Sequence, residues 1–168
     1  MNNKSPSSQT SLDILGAKVG ALLTSKRQTV AVAESSTGGL ISAALLAIPG
    51  ASNYFRAGGV VYTRQAWKAL LNSSLDVASG KALSEATALH LAKTIRSRLD
   101  TDWGVGEIGA AGPTGTRYGD PAGMTCIAVV GPGVEKAIVL KTGEDDRGAN
   151  MWAFTQRALD LLEELLAA

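Results

Sequence analysis

The sequence contains little of what several classes of protein require. One cysteine among 168 residues excludes an intrachain disulfide and a cysteine-rich metal site, and it favours a reducing compartment. Acidic and basic residues nearly balance at a net charge of +1, so charge gives no reason to expect a nucleic acid or an anionic membrane as partner. No apolar run reaches the roughly 18 residues that a membrane helix needs. We therefore expect a soluble, cytoplasmic protein.

Histidine is equally scarce, and this limits the catalytic mechanisms that the chain could use. The single histidine, His90, lies in the middle of a predicted helix and far in sequence from any glycine-rich loop. A Ser-His-Asp triad is therefore a poor hypothesis. The acidic residues are scattered, and neither a P-loop nor a GxGxxG motif occurs. We predict no metal and no cofactor.

The length and composition are those of one globular domain. Hydrophobic residues make up 45% of the 168 positions, which is enough to form a core. Residues 1–9 are polar and serine-rich, so we expect a disordered tail without a signal peptide. The domain is then expected to span residues 10–168.

Short β-prone runs alternate with segments of helical periodicity along most of the chain. Thr10 to Asp13 resembles a capping box, and Gly131-Pro132-Gly133 joins two apolar runs as in a hairpin. We predict strands at residues 29–33, 58–62, 103–108, 124–130 and 135–140, and helices that begin near residues 10, 40, 64, 84 and 149. Strand–helix alternation followed by a hairpin predicts an α/β fold, a three-layer α/β/α sandwich with a mixed sheet.

The segment from Glu34 to Gly39, with the sequence ESSTGG, lies where the first strand turns into a helix. The N–H groups at such a turn can bind an anion or the oxyanion of an acyl-transfer intermediate, and glycines allow close approach. An ordinary helix N-cap built from small residues explains the same pattern equally well. The local sequence leaves both interpretations open.

Three loops follow predicted strands and could meet at one edge of the sheet, at residues 34–39, 62–64 and 109–115. Ser35 is a candidate nucleophile, but a serine hydroxyl needs a base. With histidine excluded, the candidates are Tyr62, whose alternative is strand packing, and Lys68, whose alternative is a solvated helix face. Arg147 could bind a phosphate, although an exposed arginine would look the same.

Several ordered motifs resemble the CinA C-terminal-domain family. They are Ala33 to Gly39, Pro49 to Phe55, Gly58 to Tyr62, Ala82 to Glu85, Ala111 to Pro113, Pro121 to Gly123, and Asp146-Arg147 before the last helix. The resemblance covers about residues 12–166. It implies an α/β/α fold and a metal-independent serine amidase that converts nicotinamide mononucleotide to nicotinic acid mononucleotide and ammonia. The expected partner is thus a small nucleotide.

The resemblance also implies roles for individual residues. Ser35 would be the nucleophile, with Tyr62 as a proton relay and Lys68 as the base. The remaining expected substrate-binding residues are Glu34, Ser36, Thr37, Gly38, Gly39, Gly109, Ala111, Gly112 and Arg147. The backbone of residues 37–39 would hold the oxyanion or the nucleotide, and Arg147 would bind the phosphate. A homo-oligomer is possible, with Tyr54 and Phe55 as candidate interface residues.

Three positions depart from the family pattern. Ser36 replaces the cysteine of ESCTGG, Trp67 occupies the usual lysine position so that Lys68 is one residue late, and Ile108 replaces a hydroxyl residue. One helical step rotates a side chain by about 100°. The alternative to an active amidase is therefore a nucleotide-binding homologue that lacks the base.

Overall fold

The computed structural model describes residues 11–73 and 82–168, which form a five-stranded mixed sheet. The strands are β1 (Val30–Glu34), β2 (Phe55–Val60), β3 (Trp103–Ala110), β4 (Met124–Gly131) and β5 (Val134–Lys141), in the order β2-β1-β3-β4-β5. β1 pairs in parallel with β2 and β3, whereas β3–β4 and β4–β5 are antiparallel. The predicted mixed sheet with a terminal hairpin is confirmed.

Helices cover both faces of the sheet. They are α1 (Leu12–Lys26), α2 (Leu40–Leu46), α3 (Arg64–Leu71), α4 (Glu85–Leu99) and α5 (Arg147–Ala167). α1, α2 and α5 pack together on one face, while α4 packs on the other with α3 beside it. This arrangement confirms the predicted α/β/α sandwich. Among the described residues, no helix is both long and apolar enough to cross a membrane.

The alternation of side chains along β1 divides the core into two clusters. Val30 and Val32 belong to the cluster under α1, α2 and α5, and Ala31 and Ala33 belong to the cluster under α4. On the α4 side, a Cβ at Gly106 of β3 would collide with the backbone carbonyl of Ala88. Small residues on this face therefore let α4 lie close to the strands.

Some predicted boundaries differ from the structure. The second strand ends at Val60, so Tyr62 follows the strand instead of ending it, and β2 begins at Phe55, three residues before the predicted start. Ser11 is the N-cap of α1 and makes no side-chain capping bond, and Thr10, the first residue of the predicted capping box, lies outside the described residues. The last helix starts two residues early because the Asp146 side chain caps it. The predicted tail at residues 1–9 lies outside the described residues.

Candidate active site

Two adjoining cavities lie at the edge where the parallel strands β1, β2 and β3 end. The larger has a volume of about 590 Å³ and the smaller about 210 Å³, and Tyr62, Gly109 and Thr116 line both. Ser35 lines the larger cavity, and Ser36 and Arg147 line the smaller. Ligands of α/β proteins usually bind beyond the carboxyl ends of parallel strands, so these cavities form the candidate site.

The Glu34 side chain is fully buried and holds the start of α2. Its Oε2 accepts hydrogen bonds from the Thr37 hydroxyl at 2.6 Å and from the amides of Gly39 and Ile41 at 3.0 and 3.1 Å. Its Oε1 accepts from the Ser42 amide at 3.0 Å and the Ser42 hydroxyl at 2.5 Å. This corrects the expectation that Glu34 binds substrate, because five protein donors already surround the carboxylate.

A second buried carboxylate, that of Glu107 on β3, holds the two serines and Thr37. Its Oε2 accepts from the Ser35 amide at 3.0 Å and from the Thr37 amide at 3.1 Å, and it lies 3.1 Å from the Thr37 hydroxyl, whose single proton is donated to Glu34. Its Oε1 accepts from the Ser36 hydroxyl and, at 2.8 Å, from the Thr125 hydroxyl of β4. The carboxylate has four donors and therefore serves as an anchor for the turn.

Sequence reasoning missed Glu107, although a signal was available. Glu107 is the one charged residue within the strand WGVGEIGA, whose other residues are apolar. A charge buried in a strand has to be paired or hydrogen-bonded to be tolerated. The sequence could therefore have marked Glu107 as the centre of a polar network, but it could not have named the donors.

The two carboxylates change the expected role of the turn backbone. The amide of Thr37 donates to Glu107, that of Gly39 to Glu34, and that of Gly38 to the Ser35 carbonyl at 3.2 Å. The prediction that the amides of residues 37–39 face an oxyanion or a nucleotide is corrected for this reason. An ordinary N-cap does not describe the turn either, because the N-cap residue Gly39 makes no side-chain capping bond and buried glutamates accept the amides.

Ser35 and Ser36 differ in whether the side-chain hydroxyl is hydrogen-bonded. The Ser36 hydroxyl donates to Glu107, which takes it away from a role in substrate binding. Among the described residues, by contrast, the Ser35 hydroxyl has no hydrogen-bond partner, although its side chain lines the larger cavity and the residue is only 4% exposed. The hydroxyl is thus sheltered, held on a fixed backbone and available for chemistry.

Tyr62 and Arg147 meet at the wall between the cavities. Arg147 Nη2 donates to the Tyr62 hydroxyl at 3.3 Å, and Nη1 donates to the Gly112 carbonyl at 2.7 Å. Within the described ranges Arg147 has no carboxylate partner. Its charge therefore contacts only neutral acceptors, and an anionic ligand could bind there.

The structure does not bring Lys68 into the site. Lys68 is exposed on α3 and is absent from the described lining of both cavities, whereas Trp67 is 3% exposed and lines the larger one. The Trp67 indole donates to the Val61 carbonyl at 2.5 Å, which fixes the ring. With Leu83 and Ile108 it gives the larger cavity an apolar wall. The expected base is therefore missing from the cavities as the structure describes them.

The loop that follows β3 lines the smaller cavity with backbone and small side chains. Ala111 and Gly112 lie there as expected, and Gly109 borders both cavities. A Cβ on Gly109 would lie 2.5 Å from the Ser36 hydroxyl and 2.8 Å from Thr125 Cβ. Gly109 is therefore needed for the close approach of β3 to the serine turn.

The charge of the site is positive. Arg64 and Arg117 line the larger cavity and Arg147 the smaller, and no aspartate or glutamate is among the described lining residues of either. The carboxylates of Glu34 and Glu107 are buried behind the serine turn, and both accept hydrogen bonds from protein donors. This arrangement favours a ligand that carries an anionic group.

Two further side chains with reactive groups, His90 and Cys126, are absent from the described lining of both cavities. His90 on α4 shares a 2.5 Å hydrogen bond with the Ser73 hydroxyl, and burial lowers its pKa. Burial, with smaller contributions from the charges of Glu85, Asp120 and Glu107, raises the pKa of the Cys126 thiol to about 12. In the part of the chain that the structure describes, no cluster of three or more His, Cys, Asp or Glu side chains could hold a metal ion.

The fold and the site together define a three-layer α/β/α protein with a serine-bearing, cationic cleft. The model of the CinA C-terminal domain family matches residues 12–166. The chain therefore belongs to the CinA C-terminal domain family, as the resemblance of its motifs predicted.

Curated relatives and solved structures agree with this assignment. A CinA-like protein of Gloeobacter violaceus is 40% identical over 154 residues, which cover 89% of this chain and 36% of the relative. A CinA superfamily protein of Klebsiella pneumoniae superimposes with a TM-score of 0.87 at 26% identity, covering 94% of this chain and 99% of that structure. A competence/damage-inducible protein of Agrobacterium tumefaciens gives 0.85 at 28% identity, with coverages of 94% and 96%. The chain spans about a third of the length of the curated relatives it matches.

Proposed function

We propose that the chain hydrolyses the carboxamide of nicotinamide mononucleotide to nicotinic acid mononucleotide and ammonia, with Ser35 as the nucleophile. The observation that carries the proposal is the Ser35 hydroxyl, which lines a cationic cleft and has no competing partner among the described residues. Membership of the CinA C-terminal domain family supports a related function. Nicotinamide mononucleotide carries both the amide and the anionic phosphate that such a cleft requires.

The reaction is proposed to run through an acyl-enzyme. Ser35 Oγ attacks the carboxamide carbon while its proton leaves toward the departing nitrogen, the C–N bond breaks, and ammonia departs. Water then attacks the ester; one of its protons restores the Ser35 hydroxyl, and the other leaves to solvent as the carboxylate is released. The Tyr62 hydroxyl accepts a hydrogen bond from Arg147, so its own proton can point toward the reacting groups as a relay.

The two cavities suggest how the nucleotide lies. Arg147 and the backbone of the loop after β3 would hold the phosphate in the smaller cavity. The pyridine ring would rest on the apolar wall of Trp67, Leu83 and Ile108, with its carboxamide toward Ser35. The charges of Arg64 and Arg117 would add to the attraction for the anionic substrate.

A second candidate function is nucleotide binding without hydrolysis. It is favoured by one observation, the exposure of Lys68 on α3 while Trp67 occupies the cavity wall. Among the described lining residues no lysine or histidine accompanies Ser35; a serine without a base would react slowly, and the same cleft would still bind the nucleotide. The two candidates share a binding site and differ only in turnover.

The test is an assay of ammonia and nicotinic acid mononucleotide from nicotinamide mononucleotide, with calorimetric binding on the same samples. We expect turnover by the wild type, none by Ser35→Ala, and similar nucleotide affinity in both. Lys68→Ala is the matched control, and it should keep wild-type turnover because Lys68 lies outside the cleft. Binding without turnover in the wild type would instead establish the second candidate.

A further inference from the structure

The backbone amides from Ser35 to Ser42 are almost all occupied by acceptors within the protein. The amides of Ser35 and Thr37 donate to Glu107, and those of Gly39, Ile41 and Ser42 donate to Glu34. The amide of Gly38 donates to the Ser35 carbonyl and that of Leu40 to the Thr37 carbonyl. The start of α2 is therefore closed to a ligand.

One amide in this segment is different. Among the described residues, the backbone N–H of Ser36 has no acceptor, although both neighbouring amides are bound to Glu107. Ser36 is 3% exposed and lines the smaller cavity, while Ser35 lines the adjoining larger one. A sheltered, unused donor thus follows directly after the serine whose hydroxyl is also unused.

We infer that the backbone amide of Ser36 is the oxyanion donor of this site, an inference that rests on Ser35 being the nucleophile of the proposed function. In serine hydrolases with a nucleophile on a strand-to-helix turn, the N–H of the residue after the nucleophile points at the developing oxyanion. Attack of Ser35 Oγ on an amide carbon turns the carbonyl oxygen into such an oxyanion. The Ser36 hydroxyl would take no part, because it is bound to Glu107.

Glu107 is then the positioning residue for this donor. By accepting the amides on both sides of Ser36, it fixes the peptide plane before the substrate arrives. Donors that need no reorganisation during the reaction stabilise the transition state most. The carboxylate lies close to the oxyanion and opposes it electrostatically, and the arginines that line the cavities supply the compensating positive charge.

The first experiment removes only the N–H. Ser36 is replaced by its α-hydroxy acid through nonsense suppression, so that an ester replaces the amide while the side chain stays. We expect kcat to fall by about 10²- to 10³-fold with KM nearly unchanged. Ser36→Ala, which keeps the amide, and the same ester substitution at Leu40, whose amide reaches only Thr37 O, should each cost less than about tenfold. Equal losses in all three variants would overturn the inference.

The second experiment needs neither turnover nor a variant. 3-Pyridylboronic acid is added to ¹⁵N-labelled protein. Addition of the serine hydroxyl makes the boron tetrahedral, and one boronate oxygen then lies where the oxyanion would lie. We expect an adduct on Ser35 and a downfield shift of the Ser36 amide proton. A missing adduct, or an adduct that leaves this amide unmoved, would overturn the inference. The expected shift in a protein that does not hydrolyse nicotinamide mononucleotide would reject the proposed substrate and keep the oxyanion donor.

Discussion

Two buried glutamates hold the same turn, but they hold it in different ways. Glu34 accepts donors no more than eight residues ahead of it, and both of its oxygens accept backbone amides. Glu107 reaches the turn across 70 or more residues of sequence, and backbone amides bind only its Oε2. Its Oε1 accepts hydroxyls, those of Ser36 and Thr125. Glu34 thus builds the helix start, whereas Glu107 fixes the serines against the sheet.

This difference predicts losses of stability of different size for the same isosteric change. In Glu34→Gln, the new NH₂ group must face a backbone donor whichever way the amide is turned. In Glu107→Gln, the amide oxygen can accept the Ser35 and Thr37 amides while the NH₂ donates to hydroxyls that can rotate. We expect the free energy of unfolding to fall by about 3 kcal/mol or more for Glu34→Gln, and by about 1 kcal/mol for Glu107→Gln.

The measurement for this pair is urea denaturation of both variants beside the wild type. Glu107→Ala is the control, and it should lose at least about 3 kcal/mol because no group would replace the acceptor. Equal destabilisation by the two glutamine variants would contradict the different roles assigned to the glutamates.

A side chain at Gly109 would disturb the close contact between β3 and the serine turn. In Gly109→Ala the new Cβ would press on the Ser36 hydroxyl and on Thr125, both of which bind Glu107. We expect a loss of about 1–3 kcal/mol of stability and a clear loss of turnover, because the serine turn must move. Thermal denaturation and the amidase assay check this. Wild-type stability for Gly109→Ala would show that the contact is looser than described.

Substitutions at Thr125 measure how much one hydroxyl donor to Glu107 contributes to stability. Thr125→Val removes one of the four donors to Glu107 and leaves the shape almost unchanged, so we expect a loss of about 1 kcal/mol. Thr125→Ser keeps the hydroxyl and should restore most of the hydrogen bond. A chemical denaturation series on the two variants measures the difference. A stabilising Thr125→Val would mean that the Thr125 hydroxyl contributes nothing to Glu107.

The smallest effect is expected at His90, which lies outside the turn and its carboxylates. Burial holds the pKa of His90 below its usual value of about 6.5. As the pH falls below that value, the unfolded chain gains a proton that the folded chain does not, so the free energy of unfolding decreases. His90→Gln should remove this part of the slope between about pH 6.5 and the lower folded-state pKa. Equal slopes in urea titrations of both proteins would contradict the lowered pKa.

The sequence predicts the local parts of this molecule better than the long-range ones. Residues 34–39 were identified as a turn between strand and helix, since the strand, the glycines and the helix are adjacent in the chain. Glu107 was missed because its donors lie on the turn after β1 and on β4, and no spacing rule connects them. Tyr62 was expected at the end of a strand, but the register of β2 against β1 ends the strand at Val60.

The lysine that lies one residue later than in the family pattern, Lys68, shows a further limit of prediction from sequence. The sequence left open whether Lys68 could serve the site, because the answer depends on where α3 begins. Thr63 caps the helix through a hydrogen bond from the Ala66 amide, so α3 starts at Arg64, and Trp67 lines the cavity. A single cap thus decides which of two neighbouring side chains reaches the site.

The most direct test of Ser35 as the nucleophile is a reaction with a fluorophosphonate probe followed by peptide mapping. Ser35 and Ser36 are neighbours with similar burial, and only the Ser36 hydroxyl is bound to Glu107. We expect the probe to modify Ser35, Ser35→Ala to abolish labelling, and Ser36→Ala to preserve it. Labelling of Ser36, or no labelling of either serine in the folded protein, would contradict the claim that the turn presents Ser35 as the nucleophile.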